Sequence, residues 1–393
     1  MNRKRYGISG IGIAISAGSD LDTLYSSLSQ GKPLFQNYQI FADDSLSYPV
    51  SRVDEEALDH GLSIRQLKKL DRFTIFSLTA ARQALQDAGI EVNSEFCKYI
   101  GMMVGNCTAG WTYVEPMMYS LYTEGMEAVN SYVATAWFPA APQGEISILY
   151  GLGGHSKTVS ADRLSSGLAI AQSIQVLNSG HVEMMLAGGA EAPLNSLVFN
   201  AFLQTNLLSP SGSYFPFSST SDGNLLGEGS VFLAIETIER AYNRGIVPHC
   251  EILAVGQGHS LTEAIYTCLT KAIVTPEDVD YIVLDGAGSP EKDDEEYAVI
   301  AEVFAANQRV WLSSPKSIYG ELLGANIAAS VAVACLSLEK QTVFPTVSDS
   351  QSIKPSPVGK HVIGNPEPAT LNYILINGRD FEGRGIAILL SKI

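Results

Sequence analysis

Cysteine and histidine are scarce in this 393-residue chain, and neither is spaced for metal or disulfide chemistry. The five cysteines (Cys97, Cys107, Cys250, Cys268 and Cys335) are odd in number, widely separated and include no CxxC pair. That argues against a disulfide frame or a zinc site and for a reducing compartment. The six histidines (His60, His155, His181, His249, His259 and His361) show no HxxxH or HExxH spacing, so no metal is expected. Positive charge is also short, with 25 Lys and Arg against 41 Asp and Glu and a net charge of −16. That sign repels phosphate backbones and anionic lipid, so neither nucleic acid nor a membrane surface is an expected partner. The acids are spread along the chain without an acidic tail, which reads as solubility and, more weakly, as attraction for a basic partner face. No apolar run approaches the roughly 20 residues of a membrane span. Met1-Asn-Arg-Lys-Arg followed by apolar Tyr6–Ala17 has the outline of a signal peptide. The stretch is rich in Gly and Ser and reads better as a buried first strand, so the expected location is cytoplasmic.

What is present is the material of a large core. Hydrophobic residues make up 46% of the chain, and no linker or low-complexity segment divides it. Short β-branched or apolar runs alternate with helical stretches, which predicts βα units in layered sheets. The expected strands are Tyr6–Ile15, Tyr99–Asn106, Lys157–Ala161, Glu183–Ala190 and Ser230–Ile235, then Cys250–Gly256, Tyr281–Asp285, Val310–Ser313 and a closing hairpin of Leu371–Asn377 with Gly385–Leu390. The expected helices include Ile64–Ala88, Ser165–Asn178, Asp293–Ala306 and Leu322–Glu339. The pattern repeats in outline on either side of the polar stretch Ala241–Pro248, so the chain divides into halves 1–245 and 246–393. Gly7, Gly10 and Gly12 lack full GxGxxG spacing and read as turn glycines.

Several stretches, in order, resemble the β-ketoacyl synthases. Ser160-Ala-Asp-Arg-Leu-Ser-Ser-Gly-Leu168 is similar to the family's nucleophile turn, with Leu164 at the cysteine position. Leu186-Ala-Gly-Gly-Ala-Glu191 resembles its glycine-rich strand, and Pro216–Gly229 its PFD…RDG…GEG loop. Asp285-Gly-Ala-Gly-Ser-Pro290, with Asp293 and Glu296, resembles HGTGTP…DxxE, which puts Asp285 at the first catalytic histidine. Pro315–Gly324 resembles KSxxGHxxG, keeping Lys316 and placing Glu321 at the second histidine. Asn377–Gly383 is a degraded NSFGFGG. Ala136-Trp-Phe138 and Gln143–Ile148 bring the resemblance closest to the chain-length factors of type II polyketide synthases. Those factors often carry Gln where this chain has Leu164.

The resemblance implies an α/β, thiolase-like duplicated fold layered α-β-α-β-α. It also implies a non-catalytic subunit that pairs with an active ketosynthase and shapes the tunnel for a polyketide, in the aromatic-type branch. No cofactor of its own is expected, since the phosphopantetheine belongs to the acyl carrier protein that serves the partner. Transferred by position, Trp111, Val114, Met118 and Leu197 line that tunnel, and Ala136, Trp137, Phe138 and Val159 belong to the subunit interface. Separations of three and four put Trp111, Val114 and Met118 on one helical face, which core packing would equally explain. Leu164 cannot be acylated, and ionised Asp285 and Glu321 would only accept hydrogen bonds and would repel an enolate. The simpler reading is that Leu164 fills its pocket and Glu321 pairs with Lys316. Asp293 and Glu296 read as surface or helix-start charges, and Cys107 as packing, since no base is evident. Two other readings stay open: an independent malonyl decarboxylase or acyltransferase with unfamiliar residues, and a carrier-protein docking scaffold.

Overall fold

The computed structural model describes residues 4–41, 47–349 and 352–393. Eleven strands form its main sheet. They are β1 (Tyr6–Ile15), β2 (Ile100–Gly105), β3 (Ser156–Val159), β4 (Met184–Glu191), β5 (Gly229–Thr237), β6 (Cys250–Gly258), β7 (Tyr281–Val283), β8 (Trp311–Ser313), β9 (Lys360–His361), β10 (Tyr373–Arg379) and β11 (Gly385–Ser391). Their order is β9-β8-β7-β10-β11-β6-β1-β5-β4-β2-β3. Reading toward the centre, β3-β2-β4-β5-β1 from one edge and, inside the edge strand β9, β8-β7-β10-β11-β6 from the other repeat one plan. In both, three parallel strands are followed by two antiparallel ones. The two halves meet where Tyr6–Ile8 of β1 pairs antiparallel with Cys250–Ile252 of β6. The topology is a duplicated, thiolase-like one, and its repeat restarts at β6.

Strand alternation explains the layers, because successive side chains point to opposite faces. Ile11, Ile13, Val231, Leu233, Ile374, Ile376, Ile386 and Ile388 face a central core. That core is filled by two helices, α4 (Ser165–Ser179) and α8 (Asn326–Lys340). On the opposite faces, Ala14, Phe232 and Ala234 meet α1 (Arg72–Asp87), while Leu375, Ala387 and Leu389 meet α6 (Leu261–Ala272) and α7 (Pro290–Val303). The sequence of layers is therefore α-β-α-β-α. Residues 323–340, apolar and long enough to cross a membrane, are 89% buried in this central layer.

The glycines of β1 are not in a turn. Gly10 and Gly12 face α1, where a Cβ on Gly10 would stand 2.2 Å from the Ala84 oxygen and one on Gly12 only 1.7 Å from that of Ala80, while Gly7 lies against Pro248 and Ile238. The second half does the same, since a Cβ on Gly256 of β6 would stand 2.0 Å from the Ala264 oxygen of α6. Close helix–strand approach, not backbone freedom, fixes these positions.

Two expected helices begin later than their apolar pattern suggests. Ile64–Ala88 is broken, with a short helix at Ile64–Leu67 before α1. Asp71 takes an extended backbone there and accepts from Phe73 N at 3.0 Å, which caps a new helix. The stretch Leu322–Glu339 starts as a 3₁₀ turn at Leu323–Ala325, where Leu323 has φ +47, before α8 proper.

At the outer edge of the second half, half-buried His361 sits between Tyr297 (Nδ1–Oη 2.5 Å) and Thr346 (Nε2–Oγ1 2.7 Å). Burial holds its ring neutral, down to about 3. The unfolded chain alone therefore takes up this proton below about 6.5, so this stability is complete above that pH and lost as pH falls. The stability margin of the wild type over His361→Gln should narrow by about 2 kcal/mol between pH 7 and 5. Urea unfolding at the two pH values checks this.

Candidate functional site

The turn just before α4, the loops that follow β7 and β8, and the end of β10 converge on one buried cluster. Leu164 immediately precedes α4, and its side chain belongs to the central core. Arg163, one residue earlier, sends Nη2 to Asp285 Oδ1 and to Glu321 Oε2, both at 2.9 Å. Lys316 Nζ lies 2.9 Å from the same Glu321 oxygen and 3.5 Å from Asp285 Oδ1. Arg379, at the end of β10, brings Nε to 3.5 Å from Asp285 Oδ2 and Nη2 to 3.5 Å from Glu296 Oε2. Glu321 Oε1 also accepts from Leu323 N at 3.0 Å and from the Asn326 amide.

The electrostatics follow from this count of partners. Burial alone raises the Asp285 carboxyl, but Arg163, Lys316 and Arg379 outweigh it and hold it down to about 2. Burial likewise raises Glu321, and Arg163 with Lys316 reverses the shift. Both acids are therefore ionised: Arg163 and Lys316 converge on Asp285 Oδ1 and Glu321 Oε2, while Glu321 Oε1 is held by neutral N–H groups and Asp285 Oδ2 has only the 3.5 Å approach of Arg379 Nε. The expected repulsion of an enolate by two free carboxylates is corrected accordingly. The expected Glu321–Lys316 pair is present, but as one edge of a larger network.

Asp293 and Glu296 are not surface charges. Both lie on α7 with no exposed area. Glu296 accepts from Asp285 N (2.8 Å), Gly286 N (3.0 Å) and the Asn377 amide (3.1 Å), so it shapes the loop that carries Asp285. Asp293 accepts from Phe217 N at 2.9 Å and Gly288 N at 3.2 Å. Burial pushes its carboxyl up to about 7. Position in a first helical turn gave these acids a ready surface explanation and hid their role as acceptors for buried N–H groups.

Arg163 and Arg379 were missed by the sequence reading. A signal existed, because two acids placed in one interior by motif order need more cationic charge than Lys316 supplies. Arg163 adjoins Leu164, and Arg379 lies within the degraded glycine-rich motif. Cys107 follows β2, and burial, then Glu191, raises its thiol far above the ordinary range. It has no hydrogen-bonded base among the described contacts, so nothing activates it.

The expected tunnel residues lie on two helices inserted into the first half. Trp111, Val114 and Met118 are on α2 (Trp111–Glu124), in which no side chain is fully buried. All three are half-buried. Pro116 lies within α2 without breaking it. Leu197 is on α5 (Ser196–Leu203) and is 46% exposed.

Of the expected interface residues, Trp137 (43% exposed) and Phe138 (52%) are open to solvent and stack edge to face at 6.0 Å. Ala136 is buried within the chain beside Gly110, so it supports this segment and cannot itself meet a partner. Val159 is also buried, on β3, the end strand of the main sheet. Eight of the sixteen large apolar side chains exposed among the described residues fall in the single connection between β2 and β3. They include Tyr119, Tyr122 and, on α3 (Ala141–Tyr150), Ile148. Concentration of that kind marks a surface that meets something else.

Residues 5–241 match the N-terminal domain of Beta-ketoacyl synthase, and residues 249–349 match its C-terminal domain. The chain is 30% identical over 406 residues to the tetracenomycin polyketide synthase ketoacyl synthase beta subunit of Streptomyces glaucescens, covering 98% of each chain. It is 26% identical over 414 residues to the 3-oxoacyl-[acyl-carrier-protein] synthase 2 of Staphylococcus aureus, covering 99% of this chain and 98% of that one. Its fold superposes on that of the ishigamide ketosynthase/chain length factor with a TM-score of 0.90 at 21% identity, covering 100% of both chains.

Proposed function

The chain belongs to the β-ketoacyl synthase family, and from that membership we propose that it is a non-catalytic, chain-length-determining subunit of a type II polyketide synthase. The observation that carries the reading is the ion-paired cluster. Condensation of the family's kind needs a thiolate to take the acyl group from its carrier. It also needs hydrogen-bond donors aimed at the enolate oxygen left by loss of carbon dioxide. Leu164 offers a hydrocarbon where the thiolate belongs. Asp285 and Glu321 offer acceptors, already occupied by Arg163 and Lys316, where donors belong. Nucleophile and donors are replaced together, and the space is filled by paired charge.

Chemistry then belongs to an active ketosynthase partner fed by an acyl carrier protein, and this chain supplies shape. The exposed aromatic connection between β2 and β3 and the open edge of β3 favour a large, partly apolar pairing surface. Stable pairs of that type bury about 2,000–5,000 Å². Half-buried Trp111, Val114 and Met118 on α2, with Leu197 on α5, suit the wall of a cavity that the partner completes. The resemblance to a tetracenomycin beta subunit favours an aromatic-type product.

The test is intact-mass spectrometry of the purified chain after incubation with acyl-loaded carrier protein. The expected result is no acyl adduct, at Cys107 or elsewhere, and no ketide product. An active ketosynthase added to the same mixture should restore condensation and co-elute with this chain. Acylation or malonyl decarboxylation by the chain alone would instead establish it as an enzyme. Carrier binding with no effect on product would make it a docking scaffold.

A further inference from the structure

Helix α2 carries three of the residues assigned to the tunnel wall, yet it buries none of its side chains fully. Its packing is partial, and two carboxylates tie it to its neighbours. Asp71, itself buried, has one oxygen on Phe73 N at 3.0 Å, which caps α1. Its other oxygen accepts from Tyr113 N at 2.7 Å and from Thr112 Oγ1 at 2.6 Å, at the start of α2. Gly110 precedes α2 and has no side chain to cap it, so Asp71 does this from another helix. Glu115, one turn into α2, accepts from Ser196 N at 3.0 Å and from the Ser196 hydroxyl, at the start of α5. Burial raises the Glu115 carboxyl somewhat, and the backbone N–H groups of Ser196 and Leu197 pull it back.

The result is a chain of contacts from the core outward: α1, Asp71, α2, Glu115, α5. Of the three helices, α1 is seated deep in the outer core, with eleven buried side chains. The other two bear Trp111, Val114, Met118 and Leu197. Hydrogen bonds from helix N-termini to a carboxylate are charge-assisted and directional, so they fix distance as well as add stability.

We infer that Asp71 and Glu115 are positioning residues that set the stand-off of α2 and α5 from the core, and through it the length of the product. The inference rests on the tunnel reading given above. Its test uses the assembled pair with an active ketosynthase and malonyl-loaded carrier protein. Glu115→Gln and Glu115→Ala lead, because Glu115 is only half-buried and its loss leaves the core intact. Asp71→Asn is the second variant, and Trp111→Ala is run in parallel to test the tunnel itself.

Two readouts are taken: hydrogen exchange across residues 111–124 and 196–203, and the product profile by mass spectrometry. Loss of either tether should speed exchange in these helices by roughly tenfold. It should also cut the main product's share by about twofold or more in favour of neighbouring lengths, since small misplacements redirect reaction. Unchanged exchange overturns the inference. So does faster exchange with an unchanged profile when Trp111→Ala shifts that profile. If Trp111→Ala itself changes nothing, the tunnel reading has failed and the inference falls with it.

Discussion

Arg163→Met is expected to lower the folding stability of this chain by about 3–5 kcal/mol, the penalty for breaking a buried ion pair by removing one partner. Arg163 is the bridge of the cluster, because a single nitrogen lies 2.9 Å from both Asp285 and Glu321. Its removal leaves two buried carboxylates with only Lys316 and Arg379, the latter no closer than 3.5 Å to Asp285. Part of the loss is recoverable by protonation, since a carboxyl without its cation drifts upward when buried. The variant should therefore be least impaired in mild acid and most impaired above neutral pH. Urea midpoints at pH 5 and pH 8, with the denaturant slope held constant, give the number. A loss under about 1 kcal/mol at both pH values would mean that the cluster is wetter than its burial implies.

Trp111→Ala in the assembled pair should lengthen the polyketide by at least one two-carbon extension. The argument is steric. An indole is the largest side chain on the stripe formed with Val114 and Met118, and it is not fixed in the core. On the proposed tunnel reading, its loss opens space in the wall without creating a fully buried void to be refilled. Folding stability should therefore change little while the product changes in kind. Mass spectrometry of the released products decides the point. An unchanged length distribution, with normal pairing, would remove α2 from the wall.

How much of this was legible in the sequence depends on how local each feature is. The strands β1, β4, β5, β6, β10 and β11 were found within a residue or two, because each is an apolar run long enough to be buried on both faces. The start of α4 at Ser165 was legible for a similar reason, with an apolar stripe on one side and Gly180 as its stop. The break at Asp71 was not. The residues on either side keep a helical pattern, and the carboxylate that interrupts them is recruited by Tyr113 some forty positions away. The replaced positions Leu164, Asp285 and Glu321 could be read from motif order, but what neutralises them could not. Arg379 reaches Asp285 because β10 lies beside β7 in the sheet, and Arg163 reaches it from the turn before α4, more than a hundred positions away. A pairing between distant strands leaves no trace in the spacing of residues along the chain.

The open edge of β3 has a consequence for fidelity. Its free backbone groups are the same on every strand of every protein, so they offer adhesion without an address. Any second protein of this architecture with an uncovered end strand could present a matching rim. Discrimination must therefore be written in the side chains that flank the rim, above all Trp137 and Phe138. On the proposed pairing, exchange of the Trp137–Phe138 segment between two such subunits should re-assign the partner that each one takes.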